Sequence, residues 1–264
     1  MSGAMIVTGG GRGIGAAVAR LAAARGYAVC INYRAGAADA EATVAAIEAA
    51  GGRACALAAD VADEAAVERL FNEAQSTLGP VTALVNNAGL TGKVGRLADV
   101  NGDTLRRVIG VNVLGALYCA RAAARRMSVR AGGPGGGIVN MSSGAAGLGS
   151  PDTYVWYTAS KGAVESLTVG LSKELGPDGI RVNAVSPGYV DTEIHDASGM
   201  RERVEREAPS LPLGGSAPPT RSPRRCCGCS RTRRPTSPEP FSASPAGGSR
   251  TSQPGLDTPP ADPI

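Results

Sequence analysis

Ala4-Met-Ile-Val7-Thr8-Gly-Gly-Gly-Arg-Gly-Ile-Gly15 passes from a short apolar run, through a glycine-rich turn, into an alanine-rich stretch from Ile14 to Leu21 with helical spacing. That succession reads as strand, tight turn, helix. Gly9 makes the turn, Gly13 lets backbone approach a pyrophosphate, and Gly15 lets the helix pack closely on a sheet. Amide N–H groups at the helix start then face a position where the helix dipole favours negative charge. A flexible glycine-rich loop would share this composition, so the rest of the chain has to agree.

It does. Apolar runs at Ala4–Thr8, Ala28–Asn32, Ala54–Ala58, Ala83–Asn86, Gly137–Ser142 and Ile180–Val185 alternate with helix-like segments at Asp39–Ala50, Asp63–Leu78, Asp103–Met127 and Val155–Leu175. Alternation of this kind gives an α/β domain, and strands apolar on both faces belong in a covered parallel sheet. Ligands bind such sheets at the carboxyl ends of the strands, where the strand order reverses. Gly9, Asp60, Asn86, Ser143 and Pro187 all follow predicted strand ends.

Farther along stands Tyr157-Thr-Ala-Ser-Lys161, with Ser143 upstream. A phenol four residues before an ammonium on a helix shares its face, one turn away. In a dry site the cation favours the phenolate, and each unit of pKa depression from ~10 needs ~1.4 kcal/mol of such preference. Tyr157 is then a candidate acid or base near neutral pH. Ser143 is placed to polarise a substrate oxygen, with Ser142 as the competitor for that role.

Taken together, Thr8-Gly9-x-x-x-Gly13-x-Gly15, Asn86-Asn87-Ala88-Gly89, Asn112, Ser143, Tyr157-x-x-x-Lys161 and Pro187-Gly188 resemble the short-chain dehydrogenase/reductase family in order and spacing, over residues 4 to about 213. The resemblance implies a single doubly wound parallel sheet, a Rossmann fold, and hydride transfer between nicotinamide and a carbonyl or secondary alcohol. The 3-oxoacyl reductases and the sugar or polyol dehydrogenases of the family are the nearest in kind. It implies a catalytic set of Asn112, Ser143, Tyr157 and Lys161, with Tyr157 exchanging the proton, Lys161 also holding the nicotinamide ribose, and Asn112 organising a water relay. The cofactor would meet Thr8, Gly9, Arg12, Gly13, Ile14, Gly15, Tyr33, Arg34, Asp60, Val61, Asn86, Ala88, Gly89, Tyr157, Lys161, Pro187, Gly188, Val190 and Thr192. Within that set Asp60 would contact adenine and Thr192 the carboxamide. A homodimer through helices 103–127 and 155–175 is implied, with a tetramer not expected.

The end of the second strand, Val29-Cys-Ile-Asn-Tyr33-Arg34, has no carboxylate to accept hydrogen bonds from an NAD ribose. Tyr33 stands in that position, and Arg12 and Arg34 suit a 2′-phosphate, so NADP(H) is expected over NAD(H). The only histidine, His195, lies in the expected specificity region, Tyr189–Ser210, and is read as a surface residue. No metal-ligand spacing occurs in the first 213 residues, and Cys30, Cys55 and Cys119 fall inside predicted elements rather than in a disulfide framework. The chain opens directly on its first strand with no apolar run long enough to cross a membrane, so a cytoplasmic enzyme with a small-molecule substrate and no nucleic-acid partner is expected.

The C-terminal part is unlike the rest. From Ala217 to Ile264 lie eleven of the eighteen prolines, seven arginines and three acids, a net charge of 7 − 3 = +4, which is the whole positive balance of the chain. Such a segment should not fold, and residues 214–264 are expected to be a disordered tail following a catalytic domain of residues 1–213. Six arginines between Arg221 and Arg234, and Cys226-Cys-Gly-Cys229, would permit contact with nucleic acid or a metal. A frameshift is the favoured reading. Back-translated with permitted codons and read out of phase, Pro219–Gly247 yields a helix-period apolar stretch, a Thr-Gly turn and an apolar strand, which resemble the family's closing helix and last strand. The sheet is then expected to lack its last strand, leaving Ile180–Val185 as an aggregation-prone edge with exposed apolar side chains. A silent dinucleotide-binding protein is the alternative to an active enzyme.

Overall fold

The computed structural model describes residues 3–188 together with 190, 218 and 219. Six strands, β1 (Ala4–Val7), β2 (Ala28–Tyr33), β3 (Arg53–Ala58), β4 (Val81–Asn86), β5 (Gly136–Met141) and β6 (Ile180–Val185), pair in parallel in the order β3-β2-β1-β4-β5-β6. Chain order therefore reverses between β1 and β4, which opens a crevice at the carboxyl ends of those two strands. Around the sheet lie α1 (Gly13–Ala23), α2 (Ala37–Ala49), α3 (Glu64–Leu78), α4 (Gly102–Ile109), α5 (Gly115–Met127) and α6 (Val155–Glu174). This is the doubly wound sheet expected from the sequence.

Strand side chains alternate between two cores because successive residues point to opposite faces. Ile6, Cys30, Leu84 and Ile138 pack with Leu70 and Phe71 of α3 and Cys119 and Ala123 of α5. On the other face Met5, Val7, Val29, Ile31 and Val85 pack with Val18 and Ala19 of α1 and Ile47 of α2. Phe71 and Ile31 are wholly enclosed, and burial of one such side chain stabilises by about 1.5–3 kcal/mol. Asp63 caps α3 by accepting from the amides of Ala65 and Ala66, which is why that helix starts one residue later than expected.

Several expectations need correction. The helix predicted over Asp103–Met127 is interrupted by a π turn, Gly110–Leu114, flanked by two glycines that come close to the segment after β3. A Cβ on Gly115 would lie 2.8 Å from Val61 Cγ2, so only glycine allows that approach. Contrary to the sequence reading, Gly102–Met127 is long and apolar enough to cross a membrane. About half of its apolar window is buried, however, and Arg121, Arg125 and Arg126 of α5 pair with Glu64 and Glu68 of α3, so it packs as a core helix. Strand β6 ends the sheet among the described residues, yet Ile180, Val182 and Val185 are buried rather than exposed, because Ile180 and Val182 join the core shared with Leu171 and Leu175 beneath α6. The tail apart from Pro218 and Pro219, with its cysteines, Thr192, His195 and all of the expected specificity region except Val190 lie outside the described residues.

Candidate functional site

The glycine turn is locked from the opposite side of the crevice. Thr8, at the end of β1, accepts through Oγ1 from the backbone amides of Asn87 and Ala88 at 3.0 Å each. Asn87 Nδ2 in turn donates to the Thr8 and Gly9 carbonyl oxygens at 2.9 and 3.0 Å. Gly9 and Gly13 have φ of +61° and +52°, the left-handed region that favours glycine. A Cβ on Gly15 would fall 2.3 Å from the Gly9 carbonyl oxygen and 2.6 Å from Asn87 Nδ2. Helix α1, which opens with Gly13, Ile14 and Gly15, has no side-chain cap and no acid in its first turn, in contrast to α3. A cradle of this shape, with uncapped amides at its rim, fits a pyrophosphate. Asn87 was overlooked as a site residue, although it sits inside the Asn86-Asn87-Ala88-Gly89 motif. Its neighbour Asn86 turns inward instead, donating to Ala116 O at 3.2 Å and to Asn140 Oδ1 at 2.9 Å, so its side chain ties β4 to β5 and α5.

Across the crevice the candidate catalytic residues come together. Asn112 sits in the π turn, accepts from the Leu90 amide, and donates to Leu90 O and Ser160 Oγ, each at 2.9 Å. It thereby fastens the loop after β4, with Ala88 and Gly89, to α6. An ideal Cβ on Gly89 would lie 3.4 Å from both Asn112 Oδ1 and Lys161 Nζ, which shows how closely these groups approach. Ser143 is bonded to Tyr157, while Ser142 Oγ donates to Glu165 Oε1 at 2.8 Å and faces α6. Ser143 is therefore the serine adjoining the phenol. Gly144 donates to Pro187 O at 2.8 Å, which brings the Pro187-Gly188 segment beside Ser143, and Val190 is buried.

Protonation follows from enclosure. Burial pushes the Tyr157 phenol up to about 12, a rise that the Ser143 hydroxyl bond opposes and Tyr154 reinforces. Burial likewise brings the Lys161 ammonium down to about 8. Lys161 Nζ donates to Met141 O at 2.7 Å and lies 5.7 Å from the Tyr157 ring centroid. The phenol is therefore not made acidic as expected from its spacing to Lys161: burial raises it, and Tyr157 keeps its proton at neutral pH.

At the far end of the crevice, Tyr33 ends β2 with its carbonyl accepting from Ala59, and Arg34 is exposed beside it. Arg12 Nε lies 3.5 Å from Asp39 Oδ2 in the first turn of α2, a half-exposed pair. Asp60 Oδ1 accepts from the Ala62 amide at 3.0 Å, and Oδ2 pairs with Arg107 Nη1 of α4 at 2.8 Å. Partial burial acts to raise the Asp60 pKa, but the Arg107 hydrogen bond, the Ala62 amide and the charges of Arg107 and Arg34 outweigh it and hold the carboxyl below its ordinary value. Val61 follows, buried against Gly115. Nothing in the sequence alone singled out Arg107, because its partner belongs to a different βα unit. Among the described residues no group of three His, Cys, Asp or Glu is placed to hold a metal ion.

Comparison with known proteins agrees with this geometry. The short chain dehydrogenase family model matches residues 3–203. The uncharacterized oxidoreductase YgfF of Escherichia coli is 44% identical over 214 residues, spanning 80% of this chain and 87% of that protein. An L-rhamnose 1-dehydrogenase (NAD(P)(+)) of Azotobacter vinelandii is 39% identical over 218 residues, spanning 80% and 82%. Among solved structures, a short chain dehydrogenase of Burkholderia cenocepacia in complex with NADP superposes with a TM-score of 0.74 at 37% identity over 84% of this chain and 88% of that one. A blue fluorescent protein from a metagenomic library, in complex with NADPH, gives 0.78 at 34% identity over 87% and 90%.

Proposed function

Because the chain belongs to the short-chain dehydrogenase family and is an oxidoreductase, we propose that it transfers a hydride between NADP(H) and a carbonyl or secondary alcohol, with Tyr157 as the general acid or base. The observation that carries this reading is the convergence of Ser143, Tyr157, Lys161 and Asn112 beside a glycine cradle that side chains would fill. Thr8, Gly9, Gly13, Ile14 and Gly15 would hold the pyrophosphate, Asp60 and Val61 the adenine, and Ala88, Gly89, Lys161, Pro187 and Gly188 the nicotinamide half. When bound, the nicotinamide ring supplies or accepts the hydride.

The protein's own part is proton and charge management. Tyr157, protonated at neutral pH, donates to the substrate oxygen in reduction, and Ser143 donates to that same oxygen as negative charge develops on it. Lys161 places a positive charge beside Tyr157 that stabilises the phenolate left when the proton is given up, and Asn112 fixes the loop carrying Ala88 and Gly89 so that these groups keep register. Preference for NADP(H) over NAD(H) rests on Arg12 and Arg34 and on Tyr33 in place of a carboxylate. A homodimer through α4–α5 and α6 belongs to the same reading, with Ile109, Leu114, Leu117 and Val169 exposed on those helices. The free thiols of Cys30, Cys55 and Cys119 accord with a reducing compartment such as the cytoplasm.

The test is to follow nicotinamide absorbance with NADPH and NADH against a panel of ketones, 3-oxoacyl thioesters and sugars, for the natural chain and for Tyr157→Phe. Turnover with at least one carbonyl, abolished in Tyr157→Phe, is expected. Undiminished turnover in that variant would overturn the assignment.

A further inference from the structure

We propose that Arg107 is a positioning residue for base recognition, holding the Asp60 carboxylate across the crevice so that it accepts a hydrogen bond from an adenine amine. The inference rests on the dinucleotide reading above. Asp60 follows β3 in one half of the sheet, whereas Arg107 belongs to α4, which follows β4 in the other half. Their 2.8 Å contact is therefore a tie across the mouth of the crevice rather than a local pair within one unit.

Several observations fix its geometry. The Ala62 amide takes Oδ1 and Arg107 takes Oδ2, so the carboxylate plane is held at both oxygens while each keeps a lone pair for a further donor. Gly110 and Gly115 bracket the π turn and let it lie against Ala62 and Val61, with Gly110 3.6 Å and Gly115 2.8 Å from their nearest side-chain atoms by an ideal Cβ. Arg107, one turn before this contact, is thus anchored relative to Asp60 by backbone packing. Both side chains are about one-third exposed, 34% and 31%, which leaves the carboxylate reachable by a ligand. Arg34 adds a second positive charge near Asp60, so the carboxylate stays ionised throughout the neutral range. A fixed, ionised acceptor suits an exocyclic amine.

The experiment is isothermal titration calorimetry of the full chain with AMP and, separately, with nicotinamide mononucleotide, for the natural protein, Arg107→Gln, Arg107→Lys, Asp60→Asn and the Asp60→Asn/Arg107→Gln double variant. Loss of the charge-assisted contact should weaken AMP about tenfold in Arg107→Gln. Lys should restore part of that loss, and Arg107→Gln should add nothing in the Asp60→Asn background. Nicotinamide mononucleotide should bind all five proteins alike. Equal weakening of both mononucleotides, unchanged AMP affinity in Arg107→Gln, or full additivity in the double variant would overturn the assignment of Arg107. Failure of the natural protein to bind either mononucleotide would instead overturn the dinucleotide reading itself.

Discussion

Replacing Lys161 by methionine should cost turnover but not stability, because the native ammonium is held in the interior against its own preference. The fall of its pKa from 10.5 to about 8 corresponds to about 3 kcal/mol by which burial favours the neutral amine. At pH 7 the folded protein carries that penalty, since Lys161 is protonated there. Methionine removes the charge and fills a similar volume, but it leaves Met141 O without the donor now 2.7 Å away, at about 1–3 kcal/mol. The expected net effect at pH 7 is a gain of about 0–2 kcal/mol, the difference of those two quantities. Its pH dependence is the sharper check. A base whose folded pKa is depressed binds fewer protons folded than unfolded between about 8 and 10.5, so wild-type stability gains as pH rises through that window. The advantage of the methionine variant should therefore shrink by about 1 kcal/mol between pH 7 and 9. The hydrogen bond with Cys55 and burial raise the Cys30 thiol, and burial raises the Cys119 thiol and the Tyr157 phenol, but these are common to both proteins and cancel in the difference. Urea unfolding of both proteins at pH 7, 8 and 9 measures it. A methionine variant less stable by more than about 2 kcal/mol at every pH, with no change in the gap, would refute the claim that Lys161 is a desolvated cation rather than a stabilising one.

Carbonyl reduction should be flat with pH up to about 8 and then fall as Lys161 loses its proton, whereas alcohol oxidation should keep rising toward higher pH, where Tyr157 gives up its own; rate profiles in both directions decide this. Ser143→Ala should lower kcat by about a hundredfold, as removal of an oxyanion donor does, while Ser142→Ala should mainly lower stability by about 1 kcal/mol through its lost bond to Glu165, seen by comparing kcat with the unfolding midpoint. Gly15→Ala should lose about 1–3 kcal/mol of stability together with nucleotide affinity, because its methyl would meet the Gly9 carbonyl; an unchanged melting curve would contradict the packing described for the turn. Resequencing the gene across codons 212–222 should reveal a missing or extra base if residues 214–264 arise from a frameshift, and an intact reading frame would remove that proposal.

Much of this was legible in the chain because it depends on neighbours in sequence. Strand ends, the glycine turn and the Tyr157–Lys161 spacing are set by local periodicity and by backbone freedom at Gly9 and Gly13. What stayed hidden depends on partners far away. The apolar pattern from Asp103 to Met127 is continuous enough to read as one helix, and only the fit of Gly110 and Gly115 against Ala62 and Val61 explains why it opens into a π turn at Asn112. Asn86 and Asn87 are chemically identical side by side, and their division of labour, one inward to Asn140 and one outward to the glycine turn, comes from strand alternation at the end of β4. Ser142 and Ser143 divide in the same way at the end of β5.

The ionisation of the Tyr157–Lys161 pair is where sequence spacing misleads most, and the reason is general. Four-residue spacing fixes that two groups share a helix face, but the sign of a pKa shift depends on how much water each retains. Here Lys161, on the same helix face as Tyr157, lies against the end of β5 at Met141 and close to Gly89 in the loop after β4, and both groups are buried. Desolvation then moves the two pKa values apart, the phenol upward from 10.0 to about 12 and the ammonium downward from 10.5 to about 8, so that a proton passes downhill from the ammonium to a phenolate. A phenol that keeps its proton at neutral pH next to an ammonium that releases one near pH 8 is a donor with its resupply alongside. In the proposed reaction, therefore, the helix supplies the spacing and enclosure by the sheet supplies the chemistry.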